Sequence, residues 1–240
     1  MSPRTGQPAS KSRAKANVAA PSPRSGRKSR PPAAPRVKIC GLRSLDDALK
    51  AVDAGADALG FNFHPGSPRF VELRTAARII AALPPFVATV AVWVNPGESA
   101  LREALSACRW SALQFSGDEG EEIKGAFPHD LVVRTARLKD RRSLKTALAL
   151  PRCAAVLVDA GVPGTYGGTG KLARWDLAAE LAAARTVALA GGLSPENVAE
   201  AVRIARPYAV DVASGVESAP GVKDAQKMRD FVRAAKSAAA

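Results

Sequence analysis

The chain has 240 residues, 47% hydrophobic and 24% charged, with a mean hydropathy of -0.06, the make-up of a soluble protein with one large domain or two small ones. No stretch approaches the ~20 uninterrupted apolar residues of a membrane span, and three scattered cysteines with two histidines exclude a disulfide framework, a Cys-x-x-Cys zinc site and histidine-rich metal chemistry. The net charge of +13 is concentrated at the N-terminus: residues 1–35 hold eight basic residues and no acid, leaving +5 on residues 36–240.

Residues 1–35 are rich in Pro, Ser, Ala and Arg and contain no Ile, Leu, Phe, Trp or Tyr. Such a segment buries too little apolar area to offset its ordering entropy, so a disordered extension is expected. It lacks the apolar core of a secretory signal. Two roles stay open for it, an idle extension or weak binding of nucleic acid or another acidic surface.

From Arg36 on, short apolar runs alternate with helix-like segments. Strand 37–40 precedes helix 45–54, strand 58–63 helix 73–83, strand 87–94 helix 98–107, and strand 112–115 helix 119–126. Strand 131–138 precedes helix 141–150, strand 154–159 helix 176–184, strand 187–190 helix 195–205, and strand 208–213 helix 223–235. Runs such as Ala154-Ala155-Val156-Leu157-Val158 are apolar at every position, as strands covered on both faces are. Ser44 is placed to cap the first helix and Gly55 to end it. Ser194-Pro195-Glu196 reads as a cap, a first-turn proline and an acid. Eight such pairs predict an α/β fold, a (β/α)8 TIM barrel over residues 36–240. An open doubly wound sheet competes, but no Gly-x-Gly-x-x-Gly follows the first strand.

A barrel places its chemistry at the C-terminal ends of the strands. Glycine turns follow the seventh strand (Gly191, Gly192) and the eighth (Ser214, Gly215), where backbone N–H groups can approach a phosphate. These glycines also suit tight turns with no ligand. The long connection after Asp159 carries Gly167-Gly168-Thr169-Gly170, either a closing loop or a tolerated insertion. Cys40 ends the first strand, where a thiol with a lowered pKa is a base or nucleophile. Lys38 lies on the same strand face and favours the thiolate. A lysine inside a barrel needs a partner, and strand order nominates Asp211. Asp159 ends an apolar strand, which suits a general acid, or it caps a loop. Arg69, after Ser67-Pro68, is a carboxylate clamp or a surface arginine. A phosphate cradle, a clamp, a thiol and an acid suit proton transfer on a small phosphorylated substrate. No metal cluster and no nicotinamide fingerprint accompany them.

The motifs also carry a resemblance. Val37-Lys38-Ile39-Cys40-Gly41-Leu42, Gly60-Phe61-Asn62-Phe63 with Ser67-Pro68-Arg69, and Val92-Trp93-Val94-Asn95 are similar to those of the phosphoribosylanthranilate isomerases of tryptophan biosynthesis. So are Leu113-Gln114, Gly167-Gly168-Thr169-Gly170 with Trp175, Leu189-Ala190-Gly191-Gly192-Leu193 with Pro195-Glu196-Asn197-Val198, and Asp211-Val212-Ala213-Ser214-Gly215-Val216-Glu217. The series runs in order from residue 36 to about 231. The resemblance implies a (β/α)8 barrel carrying out a cofactor-free Amadori rearrangement. It implies Asp159 as general acid, Cys40 as general base, and Arg69 on the anthranilate carboxylate. Gly191, Gly192, Ser214 and Gly215 would hold the phosphate with Gly168 nearby, and Asp211 would belong to the substrate site. Where the family usually has Gln-Leu-His-Gly, this chain has Gln114-Phe115-Ser116-Gly117, and Trp93 stands where phenylalanine is commoner. The expected setting is a cytoplasmic monomer or homodimer without metal or membrane partner. Two alternatives remain open: a dual-substrate sugar-phosphate isomerase, and a non-catalytic barrel whose basic tail binds nucleic acid.

Overall fold

The computed structural model describes residues 34–159 and 174–238. The proposed disordered tail therefore lies outside them up to residue 33, as do residues 160–173 with Gly168. Pro35 is buried, so the packed body begins slightly ahead of the expected boundary at Arg36.

Eight strands among the described residues close into a barrel: β1 (Arg36–Cys40), β2 (Ala58–Asn62), β3 (Ala88–Trp93), β4 (Ala112–Phe115), β5 (Val132–Arg137), β6 (Ala155–Asp159), β7 (Val187–Leu189) and β8 (Ala209–Val212). Each pairs in parallel with the next in sequence, and β8 closes on β1 with Lys38 opposite Asp211. Around them run α1 (Leu45–Asp53), α2 (Leu73–Ala81), α3 (Glu98–Ala107), α4 (Glu121–Gly125), α5 (Arg141–Leu148), α6 (Trp175–Ala182), α7 (Val198–Ala205) and α8 (Ala225–Ser237).

Side chains alternate across each strand, and that alternation builds two cores. Val37 and Ile39 point outward into the main core, which packs the strands against the helices, with Leu59, Phe61, Leu113 and Phe231. Cys40, Val90 and Val92 form a smaller inner cluster with Ala58, Ala112 and Ala213. The lower barrel holds a cavity on the N-terminal side, lined in part by the small residues Ala58, Ala88, Ala155, Ala188 and Ala209. Beside that end, Asp57 accepts from the Val37 N–H at 2.9 Å and from Arg36 Nη1 at 2.8 Å, and Lys236 of α8 approaches to 3.2 Å. Burial pushes the Asp57 carboxyl up, but these donors outweigh it and hold it below the usual range.

Ser44 caps α1 as expected, its Oγ accepting from the Asp47 N–H at 3.1 Å. Gly55 follows the helix at φ 91°. Two expectations need correction. The seventh helix starts at Val198, not Pro195, because Ser194 closes a turn on Asn197 instead of capping a helix: the Ser194 N–H donates to Asn197 Oδ1 at 2.9 Å. The last helix starts at Ala225, because Lys223 belongs to a short hairpin of β9 (Glu217–Ala219) and β10 (Val222–Lys223). Asp224 then caps α8, accepting from the Gln226 and Lys227 N–H groups at 2.9 Å each.

Candidate active site

The C-terminal mouth of the barrel holds a cavity whose lining includes Cys40, Arg69, Asp159, Asp211 and Ser214, with Gly191 and Gly192. Residues from β1, β6 and β8 and from the loop after β2 thus open on one space. Gly215 is not in that lining. A side chain at Gly215 would meet the Leu193 carbonyl oxygen at 2.0 Å, so this glycine lets the turn after β8 press on the turn after β7. In the β7 turn Gly191 and Gly192 take φ values of 79° and 71°. Asn197 secures that turn by donating from Nδ2 to the Gly192 carbonyl at 2.9 Å.

Cys40 is buried at the top of β1. Below it, Lys38 Nζ lies 2.8 Å from Asp211 Oδ1 and donates to Gln114 Oε1 at 3.1 Å, the partnership that strand order nominated. Burial alone would push Lys38 down, but Asp211 and Cys40 outweigh it, so the ammonium is held above its ordinary pKa. Cys40 departs from the expected lowered value. Burial pushes the thiol up, Lys38 pulls it down, and Asp211 opposes Lys38, leaving the pKa raised.

Arg69 lies across the start of the loop after β1, where a side chain at Gly41 would come within 2.7 Å of its Cδ. Its fork is engaged: Nε and Nη2 donate to Glu217 Oε1 and Oε2 at 2.8 Å each. Lys223 Nζ, wholly buried, lies 2.7 Å from the same Glu217 Oε1. Burial pushes Glu217 up, but Arg69 and Lys223 hold it below the usual carboxylate range.

Ser116, in place of the commoner histidine, joins a polar chain. Gln114 Nε2 donates to Ser116 Oγ at 3.1 Å, and Ser116 Oγ lies 3.2 Å from Thr135 Oγ1. Arg137 Nη2 donates to the Ser116 carbonyl at 3.1 Å. Thr135 and Arg137 both line the cavity, and Arg137 is registered opposite Asp159. Sequence reasoning passed over these two. The available signal was the period-2 polar face Thr135, Arg137 at the end of β5, with the strand's other polar residue, Arg134, on the opposite face.

A closed parallel barrel with a thiol, a carboxyl and an arginine gathered at its C-terminal mouth defines a (β/α)8-barrel enzyme. Residues 37–234 match the family described as N-(5'phosphoribosyl)anthranilate (PRA) isomerase. The chain is 51% identical over 201 residues to the N-(5'-phosphoribosyl)anthranilate isomerase of Geobacter sulfurreducens, covering 84% of this chain and 98% of the relative. It is 47% identical over 205 residues to that of Myxococcus xanthus, covering 84% and 96%. The crystal structure of phosphoribosyl anthranilate isomerase from Thermotoga maritima superposes with a TM-score of 0.78 at 37% identity, covering 85% of this chain and 99% of that one. A structure of the isomerase in complex with reduced 1-(o-carboxyphenylamino)-1-deoxyribulose 5-phosphate superposes with a TM-score of 0.74 at 36% identity, covering 85% and 99%. This chain belongs to the N-(5'-phosphoribosyl)anthranilate isomerase family.

Proposed function

We propose that this chain converts N-(5-phosphoribosyl)anthranilate to 1-(2-carboxyphenylamino)-1-deoxyribulose 5-phosphate, an aldose–ketose isomerisation of L-tryptophan biosynthesis. The observation that carries the residue assignment is that Cys40 and Asp159, far apart in sequence, open on one cavity with Arg69 and the β7 and β8 turns. Asp159 protonates the ribose ring oxygen, the C1′–O bond breaks, and the anilino nitrogen supplies the electron pair that makes a protonated Schiff base. Cys40 then removes the C2′ proton, and those electrons neutralise the iminium to give an enolamine. Return of a proton to C1′ and loss of the C2′ hydroxyl proton give the ketone. No net proton or electron is exchanged.

The raised thiol pKa fits this order. Once the ring opens, the iminium supplies a positive charge beside Cys40, and a nearby cation favours the thiolate. Arg69 binds the anthranilate carboxylate. The turns after β7 and β8 hold the phosphate through Gly191, Gly192 and Ser214, with Gly215 setting their packing. Asp211 acts through Lys38. Gly168, outside the described residues, belongs to the same proposal.

Cys40→Ala and Asp159→Asn are each expected to lower kcat by at least ~10²-fold, the usual contribution of a general acid or base. Loss of phosphoribosylanthranilate fluorescence measures it, and near-wild-type turnover in either variant overturns that role. Among the described residues no helix is long and apolar enough to cross a membrane. Free Cys40, Cys108 and Cys153 fit a reducing cytoplasm. A neighbouring structure from Thermotoga maritima is described as monomers generated from a dimeric isomerase. We expect this enzyme to work as a monomer or a homodimer, which sedimentation distinguishes.

A further inference from the structure

The β9–β10 hairpin and Glu217 have no part in the chemistry above, yet they grip the side chain assigned to the substrate carboxylate. A guanidinium is planar and has two usable edges, one formed by Nε with Nη2 and one by the two Nη groups. Glu217 takes the first edge completely, with both contacts at 2.8 Å. Glu217 is itself fixed from three sides. Lys223 Nζ binds its Oε1 at 2.7 Å and also the Ala213 carbonyl at 3.0 Å. Lys227 Nζ of α8 donates to the Glu217 backbone carbonyl at 2.8 Å. The hairpin turn is tied down where Arg43 Nε donates to the Gly221 carbonyl at 3.0 Å. Arg69 lines the cavity while Glu217 does not, so Glu217 holds the fork from behind.

We infer that Glu217 is a positioning residue for substrate specificity: it fixes the Arg69 fork so that the Nη edge meets the substrate carboxylate. The inference rests on the proposed role of Arg69. An arginine already held by two bonds, with its side chain 13% exposed, gives up little side-chain freedom on binding, and that preorganisation strengthens the ligand contact. Charge bookkeeping agrees. Two cations share one carboxylate in the Arg69–Glu217–Lys223 group, which leaves a net positive charge for an anionic ligand. The same stretch of chain carries Ser214, three residues ahead of Glu217. One rigid segment thus sets where the phosphate end and the carboxylate end of the substrate are held.

The experiment compares kcat/KM for N-(5-phosphoribosyl)anthranilate with that for N-(5-phosphoribosyl)aniline, which lacks the carboxylate. The ratio cancels losses common to both substrates, so a merely structural role leaves it unmoved. Arg69→Gln is expected to collapse the preference by about 100-fold, the usual scale for losing one partner of a buried charged contact. Glu217→Gln is expected to lower it by about 10-fold or more, chiefly through a higher KM for the anthranilate substrate. Glu217→Asp keeps the charge balance and the fold but draws the carboxylate back by one methylene, and it too is expected to lower the preference. If Arg69→Gln leaves the preference intact, the clamp assignment fails. If Arg69→Gln collapses it while folded Glu217→Gln or Glu217→Asp keeps it, the positioning role of Glu217 is overturned and the clamp stands.

Discussion

Replacing Lys38 by Met tests the ion pair that joins β1 to β8 inside the barrel. Lys38 and Asp211 lie 2.8 Å apart with side chains about one-tenth exposed. At that separation and an effective dielectric of about 20, their attraction is about 6 kcal/mol. Desolvation of both groups offsets much of it, so the pair adds little net stability. Removing only the lysine is different, because it strands a buried carboxylate. The expected loss is about 3–5 kcal/mol, which lowers Tm by roughly 10 °C in a chain of this size. Lys38→Met/Asp211→Asn removes both charges and is expected to recover most of that loss. Circular dichroism on the four proteins gives the coupling energy, expected at about 2 kcal/mol or more. The pH profile gives a second reading. Cys40, as the proposed base, acts deprotonated, so kcat/KM is expected to fall as pH drops through its pKa. Lys38 pulls that pKa down and Asp211 pushes it up. Lys38→Met is therefore expected to move the activity limb to higher pH, and Asp211→Asn to lower pH. Additive stabilities, or limbs that move in the same direction, would refute the electrostatic account.

The wild-type kcat/KM itself is expected to climb from neutral into alkaline pH, since burial pushes the Cys40 thiol up; a flat profile between pH 6 and 9 removes the thiol as base. Gly215→Ala places a methyl group 2.0 Å from the Leu193 carbonyl oxygen, so the β7 and β8 turns must separate. Overpacking of this kind costs about 1–3 kcal/mol, and an accompanying rise in KM is expected; unchanged Tm and KM in calorimetry and kinetics contradict that packing. The folded-state pKa of Asp57 is depressed, so its stabilisation is fully present above the ordinary carboxylate value and is lost as pH falls through the depressed one. Asp57→Asn is expected to flatten the acid-side decline in stability, followed by urea titration between pH 2 and 5, and an unaltered slope rejects the linkage.

The barrel was legible because its cause is local and repeated. Runs such as Ala155–Val158 are apolar on both faces, which double coverage requires, and the intervening segments carry caps such as Ser44. Even the Lys38–Asp211 contact followed from strand order, since closure of the barrel sets β1 beside β8. The candidate site was legible where a strand ends in an unusual group, as at Cys40 and Asp159, or in a glycine turn, as at Gly191 and Gly192. Arg137 was missed because an arginine ending a strand looks like ordinary surface until the register sets it opposite Asp159. The β9–β10 hairpin was missed because its strands are too short to show alternation, and Pro220-Gly221 between them reads as loop. Glu217 closes one of the family-like motifs, yet its neighbours in sequence say nothing of its role. Its meaning comes from an arginine 148 positions away. The delayed start of α7 had the opposite origin, a strong cap signal at Ser194 overridden by the Asn197 turn.

Lys38 faces the lower cavity and Asp211 the upper one, with Gln114 and Leu157 bordering both. That shared layer works as a bulkhead, dividing the barrel into a working chamber and a plain one. Larger aliphatic side chains at Ala88, Ala155 or Ala188 can take up empty room below without reaching the reacting atoms. Heat tolerance and turnover in this enzyme are thus open to separate engineering, one compartment for each.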